Sequence, residues 1–143
     1  MGTNSLMSFY YSDDNERKNP IAVLYRNNDS FPEEYLRDIG KILYIEDQKE
    51  MGTGRLNWDM LVTKLINNIG EWSERIYLVG VNALNNYRFV DYKYELIADA
   101  ELYSDKNLKL SQTIKVKINN KEYILYDYLK EKGLNKINIE KEY

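Results

Sequence analysis

The sequence predicts an α+β protein, in which a mainly antiparallel sheet has two amphipathic helices packed on one face. Apolar residues recur at helical spacing in two stretches between residues 32 and 70, and they alternate with a period of two after residue 75. Short turns join the later strands, which is typical of antiparallel pairing. Residues 20–133 are predicted to form a single domain, between an irregular segment at 1–19 and a charged tail at 134–143.

A strand and a helix are predicted first. Pro20 opens the apolar run 21–25, which has the length and the β-branched content of a strand. Ser30 and Glu33 form a capping box with Pro32 in the first turn, so a helix is expected to begin there. Its apolar stripe continues through Tyr35, Leu36, Ile39, Ile42 and Leu43.

The second helix follows a predicted loop at 46–54. Asn57 is its expected N-cap, and Gly70 is expected to end it. Gly40, inside the first helix, costs about 1 kcal/mol against alanine and permits close packing. The apolar stripe of the second helix consists of Trp58, Leu61, Val62, Leu65, Ile66 and Ile69.

Strands dominate the rest of the chain. Residues 75–81 are predicted to be a strand buried on both faces, 88–98 an alternating strand, and 99–110 a polar connection. Residues 112–118 place three β-branched apolar side chains on one face and polar ones on the other. Asn119 and Asn120 can adopt the positive φ values of a tight hairpin turn. A strand at 121–124 and a short helix before Gly133 complete the predicted order.

Composition limits the chemistry. Among 143 residues there is no histidine and no cysteine, so the usual general base, thiolate nucleophile and zinc ligands are missing. We therefore expect a non-enzymatic protein with no cofactor and no metal. The net charge of −3 disfavours binding to a nucleic-acid duplex. Neither a signal peptide nor an apolar run of membrane-spanning length occurs, which predicts a cytoplasmic protein that does not bind a membrane.

The loop after the first strand is a candidate binding site. Arg26 and Asp29 lie close together in sequence, directly before a helix N-terminus whose amide groups favour an anion. The alternative is an Arg–Asp pair that only shapes the turn.

A glycine-containing segment is the second candidate. Gly52, Thr53 and Gly54 would let backbone amides approach a phosphate, and Arg55 would add a bidentate contact. The segment does not match the P-loop pattern, and a flexible connector is the alternative. Among the 14 tyrosines, Tyr92 is a candidate for stacking on a base, although half-buried sheet residues explain most of them.

The residues from Ile21 to Pro32 suggest a family. They resemble the strand and loop of small, largely uncharacterised prokaryotic and phage proteins that read Tyr-Arg-His-Trp-Asp-Gly-Tyr-Pro. Arg26, Asp29 and Pro32 match that motif, whereas Asn27 replaces its histidine. Segments around 51–54 and 76–118 are similar in order and spacing, so the resemblance covers roughly residues 21–118. It implies a phage or mobile-element setting rather than an activity.

Two functional classes remain open. The first is a phage-type accessory protein that acts stoichiometrically in the host cytoplasm, in counter-defence, by binding a small anionic, nucleotide-like ligand, alone or as a homo-oligomer. Its predicted site consists of Arg26, Asp29, Gly52, Thr53, Gly54, Arg55 and Tyr92. Within the same class, a protein-only inhibitor of a host defence factor would present the face of Thr113, Lys115 and Lys117, or an edge strand.

The second class is a carboxylate-dependent hydrolase. Asp29 or Asp91 would act as its base, and Arg26 or Arg55 as its electrostatic clamp. No spacing in the sequence places two carboxylates together, so binding is favoured over catalysis.

Overall fold

A six-stranded mixed sheet, a two-stranded sheet and four helices make up the part of the chain that a computed structural model describes, residues 3–50, 55–72, 75–86, 89–103 and 114–133. The α+β class is confirmed. The elements are β1 (Ser5–Tyr11), β2 (Ala22–Arg26), α1 (Pro32–Glu50), β3 (Arg55–Asn57), α2 (Trp58–Trp72), β4 (Ile76–Val79), α3 (Ala83–Asn86), β5 (Tyr92–Ala98), β6 (Glu101–Tyr103), β7 (Lys115–Ile118), β8 (Lys121–Ile124) and α4 (Leu125–Glu131).

The large sheet has the strand order β4-β2-β1-β5-β7-β8, and β3 and β6 form a separate two-stranded sheet. All neighbouring strands are antiparallel except β1 and β5, which are parallel with Ser5 opposite Tyr92. The sheet is therefore mixed but mostly antiparallel.

The central strand β1 lies in the segment that was predicted to be irregular, so that prediction is wrong for residues 5–11. The strand has neighbours on both sides and is buried on both faces. A strand of this kind shows no alternation of apolar and polar residues. Ser5 and Ser8 are both buried, and these serines also weaken the apolar signal of the segment.

The core lies mainly on one face of the sheet. Met7, Phe9 and Leu24 belong to a large buried cluster together with residues of α1, α2 and α4. Leu6 and Val23 point to the other face, where they form a small cluster with Ala83 of α3. The strands of the sheet thus separate a large hydrophobic layer from a small one.

Two helices are longer than predicted. α1 continues to Glu50, through the first part of the predicted loop, since residues 46–50 are mostly good helix formers without an apolar stripe. α2 passes Gly70 and ends at Trp72, because one glycine weakens a helix without breaking it. In the predicted polar connection, Glu101–Tyr103 forms β6 by pairing with β3.

Strand β4 is the largest error in the predicted burial. The sequence predicts burial on both faces, but β4 is an edge strand in which Tyr77 and Leu78 are exposed. A short apolar run has the same pattern whether its neighbours cover it or not.

The C-terminal hairpin agrees with the prediction. Asn119 and Asn120 have φ values of 48° and 74° in the turn between β7 and β8. Ile114 and Val116 are buried on the core side. Gly133 follows α4 with a φ of 72°, a conformation that glycine adopts readily.

Close packing at Gly40 gives a first prediction. A Cβ atom at this position would overlap Cδ1 of Leu129, which is buried in α4. Overpacking costs about 1–3 kcal/mol, and alanine returns only about 1 kcal/mol of helix propensity. We therefore expect Gly40→Ala to lower the free energy of unfolding by about 1 kcal/mol in a urea titration.

A double-mutant cycle tests the cause. In a Leu129→Ala background the overlapping methyl group is absent, so Gly40→Ala should become neutral or stabilising. A stabilising effect in both backgrounds would show that α4 does not restrict this position.

Candidate functional site

Arg26 ends β2, and its guanidinium group is directed toward α1. The side chain is nine-tenths buried, with Nη1 3.7 Å from the Asp38 carboxylate and the guanidinium carbon 4.6 Å from the centre of the Tyr35 ring. Burial raises the pKa of Asp38, while Arg26 beside it acts in the opposite direction. Within the described residues, Nε of Arg26 has no hydrogen-bond partner. Arg26 thus joins β2 to α1.

Asp29 has a different partner. Its backbone has a φ of 56°, and its carboxylate lies 4.0 Å from the guanidinium group of Arg75. Asn28 Oδ1 accepts a hydrogen bond from the Asp29 backbone N–H at 2.9 Å. The structure thus places Arg26 and Asp29 in two separate ion pairs rather than one.

Tyr92 does lie beside this loop. Its ring stacks on Tyr94 with a centroid distance of 5.9 Å and meets the edge of Phe31 at 6.0 Å. The Tyr94 hydroxyl donates to the Ser30 carbonyl at 2.6 Å, and the Ser5 hydroxyl donates to the Ser30 hydroxyl at 2.9 Å. Among the predicted site residues, Tyr92 and the loop are brought together.

The glycine-containing candidate falls mostly outside the described residues. Gly52, Thr53 and Gly54 lie outside the described residues, so their contact with a phosphate stays a prediction. The backbone of Arg55 begins β3 and is opposite Tyr103 of β6.

A groove of about 240 Å³ crosses the sheet on the face opposite the large cluster. We call this side, which carries Ser8, Glu95 and Lys117, the open face. These three side chains are neighbours across β1, β5 and β7, since Ser8 is opposite Glu95 and Glu95 is opposite Lys117. The other residues around the groove are Leu6, Tyr10, Leu84, Lys93, Tyr94 and Asn120.

Positive charge predominates in this groove. Lys93 and Lys117 contribute two ammonium groups and Glu95 one carboxylate. Within the described ranges, neither lysine has a carboxylate within ion-pair distance. The Tyr10 phenol beside them is neutral at pH 7, as any tyrosine is, and burial raises its pKa further. An anionic group can therefore be held by two cations, while Glu95 accepts hydrogen bonds.

A second groove of about 340 Å³ lies at the other end of the open face. Arg17 and Lys115 line it together with Asp99 and Glu122, so its charges balance. The Arg17 guanidinium group lies 5.7 Å from the centre of the Tyr10 ring. The balanced charge makes this groove a weaker site for an anion than the first.

The predicted hydrolase residues are not grouped. The Asp91 carboxylate accepts from the Asn4 backbone N–H at 3.0 Å, whereas Asp29 contacts Arg75. Three or more Asp or Glu side chains placed to hold a metal ion are not found in the described part of the chain. Of the helices there, none is long and apolar enough to cross a membrane.

The sequence reasoning missed the open-face groove because it missed β1, which supplies Ser8 and Tyr10. Part of the signal was present, since the alternation of Lys115 and Lys117 with apolar residues predicted a face that meets water or a partner. The alternation of Lys93 and Glu95 with Tyr94 gave the same signal in β5.

No protein-family model, curated protein or solved structure matches this chain. The resemblance of residues 21–118 to the proteins with the loop motif stays a prediction. The choice of function therefore depends on the geometry of the groove and of the loop.

Proposed function

We propose that this chain is a binding protein in which α1 and α2 cover one face of the sheet and the open face holds a small anionic ligand in stoichiometric amount. One observation supports this most directly. Lys93 and Lys117 line a groove and, within the described residues, have no carboxylate partner. Ammonium groups placed in this way favour a phosphate or carboxylate group.

A nucleotide-like ligand suits the mixed polarity of the groove. Its phosphate would contact Lys93 and Lys117, and its ribose hydroxyl groups would donate to Glu95. A simple dianion would use the lysines but would be repelled by Glu95. Both kinds of group occur together in nucleotides and ADP-ribose derivatives.

The groove is preferred over the loop for this ligand. Arg26 and Asp29 already have charged partners, and Arg26 is nearly inaccessible to solvent. Lys93 is exposed and Lys117 is half-buried, so neither must leave a buried ion pair to bind. A second contact with the ligand stays a prediction for Gly52, Thr53, Gly54 and Arg55.

The proposal includes the biological setting that the sequence resemblance implies. The protein would act in the host cytoplasm as a phage or mobile-element accessory protein and would sequester a signalling nucleotide of a defence system. A protein-only inhibitor is the second candidate, because Lys115 and Lys117 lie on the same open face and can meet a protein surface. Both candidates act by binding rather than by turnover.

Thermal shift with defined ligands tests this function. ADP-ribose and cyclic nucleotides are added to the protein after a heating step that releases any ligand already held. A ligand present at 100 times its Kd stabilises the folded state by about 2.7 kcal/mol, which corresponds to a rise in Tm of roughly 5–10 °C. An unchanged Tm with every probe would exclude the nucleotide-binding proposal and leave the protein-only inhibitor.

Lysine variants locate the site by calorimetric titration. Each charge-assisted hydrogen bond contributes about 1.5–3 kcal/mol, so Lys93→Gln or Lys117→Gln should raise Kd by about 10- to 100-fold. Lys130→Gln is the matched control, since Lys130 is exposed on α4, in the layer that belongs to the large cluster. Equal affinity in the groove variants and the control would place the ligand elsewhere.

A further inference from the structure

We propose that strand β4 is a dimerisation edge, on which a second copy of this chain adds its own β4 in antiparallel orientation about a twofold axis at Leu78. This inference is independent of the ligand, because it concerns the opposite end of the sheet from β7 and β8.

The apolar character of this edge is the first observation. Leu78 is 64% exposed and Tyr77 is 49% exposed on β4, and Val81 and Phe89 add exposed apolar surface nearby in sequence. In the described part of the chain, no strand lies on the outer side of β4. Edge strands of monomeric proteins usually carry charges, prolines or bulges that prevent pairing.

The other edge of the sheet has the usual protection. β8 carries the charged residues Lys121 and Glu122, both exposed. Residues 76–81, by contrast, contain no charged side chain. Pairing β4 with β8 of another copy would also leave two free edges and grow into an open chain, whereas a twofold pairing of β4 with β4 closes after two copies.

The backbone register makes the edge complementary to itself. The Asn27 N–H donates to the Arg75 carbonyl at 3.1 Å, so Arg75 faces β2. Antiparallel ladders alternate, and Tyr77 and Val79 therefore face β2 as well, while Ile76 and Leu78 direct their N–H and C=O groups outward. A twofold axis at Leu78 lets the two copies of this residue exchange both hydrogen bonds.

The side chains fit the same register. On one face Leu78 would meet Leu78 of the second copy, and on the other face Tyr77 would meet Val79. Ile76 would lie opposite Gly80, and a Cβ atom at Gly80 has no neighbour within 4 Å, so this position is open. Because the segment is uncharged, bringing two copies together causes no like-charge repulsion along the strand.

Light scattering at protein concentrations from micromolar to hundreds of micromolar tests whether the dimer forms. The wild-type chain of 17.1 kDa is expected to give twice that mass. Leu78→Lys would place two like charges opposite each other at the axis and would remove the apolar contact there, so it should raise the dimer dissociation constant by at least about 100-fold. Ile124→Lys is the matched control on the β8 edge, where Ile124 is exposed, and should leave the dimer intact.

Amide hydrogen exchange of the wild-type chain provides a measurement without a variant. The outward N–H group of Leu78 should exchange more slowly as the protein concentration rises. A wild-type monomer at every concentration, or exchange at this amide that does not depend on concentration, would overturn the proposal and leave this edge for a strand of a different protein. A folded Leu78→Lys variant that still dimerises would overturn it too.

Discussion

Raising the pH above 10 is expected to unfold this protein steeply, because four buried tyrosines, Tyr10, Tyr35, Tyr94 and Tyr128, hold their phenol protons to higher pH in the folded state than in the unfolded chain. Burial raises the pKa of Tyr35, which is fully buried, and of Tyr94, where the neighbouring Tyr92 adds to the effect. Burial also raises the pKa of Tyr128 to about 12, with Glu33 contributing. In the unfolded chain each phenol titrates near pH 10.

The sign follows from which state loses protons first. Above pH 10 the unfolded chain releases phenol protons that the folded chain still holds, so rising pH favours unfolding. The stabilising contribution is complete below pH 10 and is lost as the pH approaches the raised values. Each buried tyrosine lowers the free energy of unfolding by about 1.4 kcal/mol for every pH unit between its pKa in the unfolded chain and its raised pKa in the folded protein. Several such tyrosines together remove an amount comparable to the whole stability of a typical domain.

Two phenylalanine variants separate titration from hydrogen bonding. Within the described residues the Tyr35 hydroxyl has no hydrogen-bond partner, so Tyr35→Phe should not destabilise the protein at pH 7. Tyr94→Phe removes the donor to the Ser30 carbonyl and should cost about 1–2 kcal/mol at that pH. Each variant removes one of the four buried phenols and should reduce the slope of the free energy of unfolding above pH 10 by roughly a quarter, as measured by urea titrations at stepped pH. If the free energy of unfolding fell with pH as steeply in both variants as in the wild type, the loss of stability could not be assigned to these tyrosines.

The parts of the fold that the sequence predicts well are those with a local signal. The hairpin at Asn119 and Asn120 and the apolar stripe behind Asn57 depend on residues that are close in sequence. β1 has no such signal, because its pairing with β5 joins residues far apart in sequence and both of its faces are covered. The prediction of burial for β4 is wrong for the opposite reason. Its apolar residues predict covering side chains on both faces, and the described structure leaves Tyr77 and Leu78 exposed.

The same distinction applies to the site. Arg26, Asp29 and Tyr92 are picked out by residue type, and the structure does bring Tyr92 to the loop. Which carboxylate meets Arg26 could not be predicted, because Asp38 reaches it from the next helix rather than from the same turn. The open-face groove depends on three strands from distant parts of the chain, so only the complete sheet defines it.

The largest single loss of stability at pH 7 is expected for Trp58→Ala. Trp58 is fully buried at the start of α2, where its indole N–H donates to the Tyr10 carbonyl at 2.9 Å and its ring lies 6.2 Å from that of Phe9. Its backbone N–H donates to the Ala100 carbonyl at 2.9 Å. The residue thus connects α2 to the central strand and to the segment between β5 and β6.

Truncating this side chain removes the ring contacts, leaves a cavity and frees a buried carbonyl. Such changes cost about 3–5 kcal/mol, and Trp58→Phe, which keeps a ring but loses the indole donor, should cost about 1–2 kcal/mol. Urea unfolding followed by far-ultraviolet circular dichroism measures both values. Phe89→Ala is the matched control, since its ring is 92% exposed and its removal should change stability by less than about 0.5 kcal/mol. A loss below 1 kcal/mol for Trp58→Ala would mean that α2 does not depend on this contact with the sheet.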